Sequence, residues 1–363
     1  MTAPTPSIFP AHRELPIFEA LPELRAVVPV RPLVHGPTPV GPCDALEDWL
    51  GRGGVFQKRD DLASPLYGGN KVRRFELLLA DAERRGAKHL VTVGGLASTQ
   101  VLATILFGKA LGFDVTAAMF DQPVTTFARR ILRAAHASGG HLIHAGGYLQ
   151  TALSTLKAHR GATDPYLVLP GASTPLPLVG FVDAMLELGE QIRRGEVPRP
   201  DILVVPSGSA GTLAALSVGC QLLGYPTRVV GVRITEALAC NHATVRVLVE
   251  ALLRFLGRHS PRARRLRGAD CRFEVFGGAL GGGYGHPTVP SVAAIPAVEK
   301  LLGVPGEVTY SAKGMVGLRA IARANPRATV LYWHTLSSAP LPGSVDGPAP
   351  PGFESVFAAP VVV

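Results

Sequence analysis

The chain reads as an α/β protein built on a parallel sheet with crossover helices. Three observations predict this: apolar runs of strand length alternate with helix-length segments, glycine-rich turns stand at the carboxyl ends of those runs, and caps or glycines mark the helix ends. His89-Leu90-Val91-Thr92-Val93 is a buried strand ending at Gly94-Gly95. Ser98 caps a helix reaching about Leu111, with Gly112 as its stop. Asp114 to Phe120 is a second strand, followed by a helix from about Thr126 to Ser138. His141 to His144 makes a third strand, and Val179 to Arg194 another helix. Asp201 to Pro206 enters a Gly/Ser turn and then the helix Thr212 to Leu223, and Arg228 to Arg233 and Thr329 to His334 complete the pattern. Ligands in such sheets bind outside the carboxyl ends of the strands, where these turns fall.

Size and composition narrow the class. A chain of 363 residues can bury a large core in about two domains. Apolar content of 47% and charged content of 17% are those of a folded protein rather than a disordered one. Met1 to Pro16 is Pro-rich without the apolar core of a signal peptide, and no apolar run is long enough to cross a bilayer. Cys43, Cys220, Cys240 and Cys271 lie far apart and read as free thiols in a reducing compartment, so a cytoplasmic location is expected. The net charge of +9 raises the question of nucleic acid. Much of the excess is Arg254, Arg258, Arg262, Arg264, Arg265, Arg267 and Arg272, and no recognition module accompanies it. A solvated basic face is the expectation, with neither nucleic acid nor membrane as partner.

The most informative stretch runs from Gln57 to Glu76. It sets Lys71 behind Gly68, Gly69 and Asn70, at the start of an amphipathic helix. Glycines let the backbone approach a ligand or turn with positive φ. A partly desolvated lysine there can lose its proton and act as an amine nucleophile, the chemistry of a Schiff-base lysine. The plainer alternative is a turn followed by a solvated lysine. A second candidate is Ser207-Gly208-Ser209-Ala210-Gly211-Thr212, whose backbone N–H groups, hydroxyls and following helix suit a phosphate. An ordinary strand-to-helix turn is the alternative. Gly94-Gly95-Leu96-Ala97-Ser98-Thr99-Gln100 can hold a carboxylate by the same physics, unless Ser98 is only a cap. The loop Gly281 to Pro287 carries Tyr284 and His286. Taken singly, Tyr310, which precedes a helix, is a packed aromatic, and His334 a hydrogen-bonded buried histidine.

In this order, Lys-Arg-Asp-Asp…Gly-Gly-Asn-Lys-x-Arg, Gly-Gly-x-x-Ser, Ser-Gly-Ser-x-Gly-Thr, Gly-Tyr-Gly, Tyr-x-x-Lys-Gly and His-Thr, the motifs resemble one family. It is that of the pyridoxal-phosphate enzymes comprising aminocyclopropane-carboxylate deaminase and D-cysteine desulfhydrase, of the tryptophan-synthase-β-like fold. The resemblance runs from about Pro37 to His334. It implies Lys71 as the Schiff-base lysine that also shuttles the Cα proton, with Asn70 beside the cofactor ring. Ser207, Gly208, Ser209, Ala210, Gly211 and Thr212 would hold the phosphate. Ser98, Thr99 and Gln100 would hold the substrate carboxylate, with Ser98 as an acid/base. Tyr284 and Tyr310 would flank ring and substrate, and Ser311 or Thr335 would lie near the pyridine nitrogen. A hydroxyl there would leave that nitrogen unprotonated and suit β-elimination over transamination.

The chain departs from the family pattern in three places. Thr99-Gln100 replaces Asn-His, Leu336-Ser337 replaces Gly-Gly, and Ser311 stands where the deaminases carry Glu, which argues against ring opening of the cyclopropane amino acid. The resemblance implies a homodimer, a large domain of residues 1–74 and 189–363, and a small domain of 75–188. A small amino acid is the expected substrate and pyridoxal 5'-phosphate the cofactor, with no metal. The expected reaction is β-elimination, most like that of D-cysteine desulfhydrase. β-Replacement, racemisation, cyclopropane deamination, and a non-catalytic binding protein on the same scaffold stay open.

Overall fold

The computed structural model describes residues 8–343 and 347–363, so the first part of the Pro-rich start, Met1 to Ser7, lies outside the described residues. Its strands are β1 (Val40–Pro42), β2 (Val55–Lys58), β3 (His89–Gly95), β4 (Asp114–Phe120), β5 (His141–Gly146), β6 (Pro165–Val168), β7 (Ile202–Ser207), β8 (Arg228–Arg233), β9 (Phe273–Phe276) and β10 (Val330–Trp333). They form a six-stranded sheet in the order β1-β2-β10-β7-β8-β9 and a four-stranded sheet in the order β5-β4-β3-β6. Among the described residues only the β1–β2 pair is antiparallel. The late strand β10 lies between β2 and β7, with Val330 opposite both Val55 and Ile202. This crossover sets the carboxyl ends of β2, β10 and β7 side by side, and with them the segments that follow Lys58, Trp333 and Ser207.

All six strands expected from the sequence form, with ends moved by no more than two residues. β1, β2, β6 and β9 were not expected. Each has three or four residues, too few for a period to show, and β2 ends on the charged Lys58. The motif Tyr310 to Gly314 does not precede its helix; the helix begins at Ser311. The Glu307 carboxylate accepts the N–H groups of Thr309, Tyr310 and Ser311 and so caps that end. The helix Tyr148–Gly161 also escaped the sequence reading: only Thr151 is buried there, so it has no apolar stripe on the core.

The helix Val72–Arg84 is buried on nearly every side up to its last turn, Arg73, Arg74, Glu76 and Asp81 included. Arg73 donates to Asp60 through Nε at 2.8 Å and to Glu187 at 2.8 and 3.0 Å. Lys58 reaches Glu187 at 2.6 Å, and the Trp333 indole donates to Asp60 at 2.8 Å. Asp183, Glu187 and Gln191 come from one face of the helix Pro175–Arg193, at four-residue spacing. The charged sequence Lys58-Arg59-Asp60-Asp61 therefore contributes scaffold: Lys58, Asp60 and Arg73 tie the start of the lysine helix to the sheet. Charges buried this deeply persist only when paired and fully hydrogen-bonded.

The arginines from Arg254 to Arg272 are exposed, as a solvated basic face requires. The four cysteines are free and buried. Among the described residues no helix is long and apolar enough to cross a membrane, and no cluster of side chains could hold a metal ion.

Candidate active site

Gly68 and Gly69 bring Lys71 to the sheet. A Cβ on Gly68 would lie 1.8 Å from the Asp61 carbonyl oxygen, and one on Gly69, at φ +87, 2.4 Å from that of Thr335. No other residue fits either place. The Asn70 N–H donates to the Thr335 carbonyl at 3.1 Å, and the Gly68 N–H to the Ser337 hydroxyl at 2.8 Å. Ser337, one of the departures from the family pattern, thus braces the lysine turn. His334 Nε2 donates to the Gln57 amide oxygen at 3.0 Å and is buried, as expected.

Burial depresses three lysine amines, and their partners tell them apart. Lys58 is spent on Glu187, Gln191 and the Thr38 carbonyl. Lys313, lowered to about 8, donates to the carbonyls of Leu280 and Gly283, both at 2.8 Å, and so holds the Tyr284 loop. Among the described residues the Lys71 amine donates only to the Asn70 amide oxygen, at 2.7 Å. Desolvation, helped by the Arg74 charge, lowers it to about 7. About half of such amines are neutral at pH 7, and a neutral amine is a nucleophile.

Arg74 was missed by the sequence reading. It lies one turn beyond Lys71 and donates to the Thr212 hydroxyl at 2.5 Å, to Ser173 at 3.3 Å and to the Gly171 carbonyl. Its Nε is buried without a partner among the described residues, and desolvation lowers its pKa to about 9. Ser209 and Ser173 share a hydrogen bond at 2.8 Å. Ala210 sits at φ +62 at the head of the helix Gly211–Leu223, whose first amides have no carbonyl a turn earlier. A Cβ on Gly211 would meet the Ser173 oxygen at 2.5 Å. An under-satisfied cation facing hydroxyls and a helix N-terminus is a fit for a phosphate. Ser207 stands apart, its oxygen accepting from the Cys240 thiol at 3.6 Å.

The helix Thr99–Ala110 begins at Ser98, whose oxygen accepts the Val101 N–H at 3.3 Å. The cap reading of Ser98 holds, and its own hydroxyl proton is left to donate. Thr99 and Gln100 keep their backbone N–H groups at the helix end, but the Gln100 side chain turns away to the Leu169 carbonyl at 3.0 Å. Against the Gly95 turn, the Tyr284 and Tyr310 hydroxyls share a hydrogen bond, their rings edge to face at 5.8 Å. Ser311 donates its proton to Glu307 at 2.6 Å. Glu307 is buried and its pKa is raised by desolvation. It lies three residues before Tyr310, and the sequence reading passed over it because a lone carboxylate there carries no pattern of its own.

A family model described as pyridoxal-phosphate dependent enzyme matches residues 32–335. The chain belongs to that family and is an enzyme that uses pyridoxal phosphate, with the tryptophan-synthase-β-like fold. Within the family it belongs with the aminocyclopropane-carboxylate deaminases and D-cysteine desulfhydrases and is a lyase or deaminase. It is 30% identical over 321 residues to D-cysteine desulfhydrases of Salmonella schwarzengrund (strain CVM19633) and Salmonella paratyphi C (strain RKS4594), covering 84% of this chain and 92% of each relative. A solved ACC deaminase homologue superposes with a TM-score of 0.72 at 26% identity, covering 89% of this chain and 95% of that one. A solved threonine deaminase, at 17% identity and a TM-score of 0.55, shares the fold; the match covers 91% of this chain and 98% of the deaminase.

Proposed function

We propose that this enzyme removes a β-substituent and ammonia from a small amino acid, most like the D-cysteine desulfhydrases it resembles. The observation that carries the reading is Lys71: a depressed amine held by one amide oxygen, one turn from an arginine that faces a hydroxyl cradle. When bound, pyridoxal phosphate supplies the sink for electrons released at the substrate Cα. The chain's residues do the rest. Lys71 carries the cofactor and moves the Cα proton, and Asn70 holds its amine. Arg74, Ser209 and Thr212, with the amides of Gly208 to Thr212, hold the phosphate. Ser98 and the amides of Thr99 and Gln100 hold the carboxylate, and Tyr284 and Tyr310 wall the substrate.

Ser311 and Thr335 face the pyridine nitrogen in this reading. Ser311 donates to Glu307 at 2.6 Å, so its hydroxyl would be held in place beside the ring. In the overall reaction the Cα proton leaves, the β-group departs with its electron pair, and water converts the released enamine to a keto acid and ammonia.

The division into residues 1–74 with 189–363 and 75–188, supported by the separate sheet of β3 to β6, is part of the proposal. So is a cytoplasmic homodimer, which light scattering would test in its oligomeric part. The reaction itself is tested by a screen of D- and L-amino acids bearing β-leaving groups. Keto acid released with an equal amount of ammonia supports it, whereas racemised or β-substituted product in place of keto acid would overturn it.

A further inference from the structure

Gln122 follows the carboxyl end of β4 and is 9% exposed. Its Oε1 accepts the Ala97 N–H at 3.1 Å, and this bond fixes which end of the amide is oxygen. The Nε2 at the other end is buried and has no partner among the described residues. That amide spans two glycine-rich segments. A Cβ on Gly95 would lie 2.5 Å from Gln122 Oε1 and 2.8 Å from the Tyr284 ring, and one on Gly285 would lie 2.7 Å from Gln122 Nε2. The free donor therefore sits between the turn that starts the helix Thr99–Ala110 and the loop that carries Tyr284. On the helix side are the first-turn amides of Thr99 and Gln100, which have no carbonyl a turn earlier in the helix, and the positive end of a 12-residue helix. An unsatisfied buried amide donor costs free energy that a ligand acceptor recovers.

We infer that Gln122 is a specificity-determining residue whose Nε2 donates to the carboxylate of the amino-acid substrate. The inference rests on the proposed placing of that carboxylate at the helix Thr99–Ala110. Thr99 brings no side-chain amide to this anchor, and the Gln100 amide is spent on Leu169. Gln122 delivers one from the neighbouring strand. With neutral donors only, the anchor selects an anion, so an amine lacking the carboxylate gains nothing from Gln122.

The test uses the cofactor-loaded enzyme and two probes without a β-leaving group: alanine, as each enantiomer, and ethylamine, which is alanine without its carboxylate. Binding is read from the change in the cofactor's visible absorbance. Gln122→Glu keeps the oxygen that accepts from Ala97 and replaces the donor by an acceptor. It should weaken the better-bound alanine by about 10- to 100-fold, the loss of one hydrogen bond to a charged group, without weakening ethylamine. Gln122→Met, neutral and similar in size, should give the same split should the charged variant fail to load cofactor. Alanine affinity unchanged in both variants, or an equal loss for alanine and ethylamine, would overturn the inference and leave the cofactor site standing. Wild-type enzyme that responds to neither enantiomer of alanine would overturn the placing of the substrate and Gln122's role with it.

Discussion

Arg74 stands one helical turn beyond Lys71 and donates to the Thr212 hydroxyl at 2.5 Å, so one helix end delivers both an amine and the cation that tunes it. The positive charge lowers the lysine, and the proposal sets the cofactor's dianion against the hydroxyls in front of the arginine. Arg74→Gln should weaken pyridoxal phosphate by about 10- to 100-fold, the share of a charge-assisted hydrogen bond. Inorganic phosphate should slow cofactor uptake by the apo-protein and lose most of that effect in the variant. Equilibrium dialysis and stopped-flow absorbance measure the two.

The Lys71 pKa of about 7, against an ordinary 10.5, has a direct consequence in pH. Because burial and Arg74 disfavour the charged form, the neutral fraction rises through pH 7. The rate at which apo-protein captures the cofactor aldehyde should climb between about pH 6 and 8 and then level off. In Arg74→Gln the midpoint should move upward. A rate that keeps climbing towards pH 10 would show an ordinary, solvated lysine.

Arg73, the neighbour of Arg74, points into the other network, with Asp60 and Glu187. Removing one partner of a buried ion cluster strands the others. Arg73→Met should therefore cost about 3–5 kcal/mol, read as a lowered urea midpoint. The same substitution should have little effect on cofactor affinity in whatever fraction stays folded.

Lys313 is fully buried and ties the Leu280 and Gly283 carbonyls beneath Tyr284. Lys313→Met keeps the bulk and frees both carbonyls. Cofactor content should stay normal while kcat/KM falls by about tenfold, the mark of a loosened substrate wall.

These residues also show what a single sequence can carry. Lys71, the Ser207 to Thr212 turn and the Ser98 cap were legible because glycine, hydroxyl and helix signals sit next to one another in the chain. Arg73 and Arg74 were not separable: adjacent residues project about 100° apart on a helix, and only the neighbours decide that one braces the fold and the other faces the cradle. Gln122 and Glu307 belong to no motif. Gln122 reaches the site because parallel strands set their carboxyl ends side by side, a pairing no local pattern encodes, whereas Glu307 lies between two helices and caps the second. The Gln100 side chain went the other way, near the site in sequence but turned to Leu169 in space.

The central claim is that Lys71, rather than the similarly depressed Lys313, carries the cofactor. Borohydride reduction of the cofactor-loaded enzyme at pH 8, followed by peptide mass mapping, tests it most directly. One pyridoxyl-phosphate mass increment per chain, on the peptide containing Lys71, is the predicted result. The increment on Lys313 or Lys58, or none on any lysine, would contradict the account.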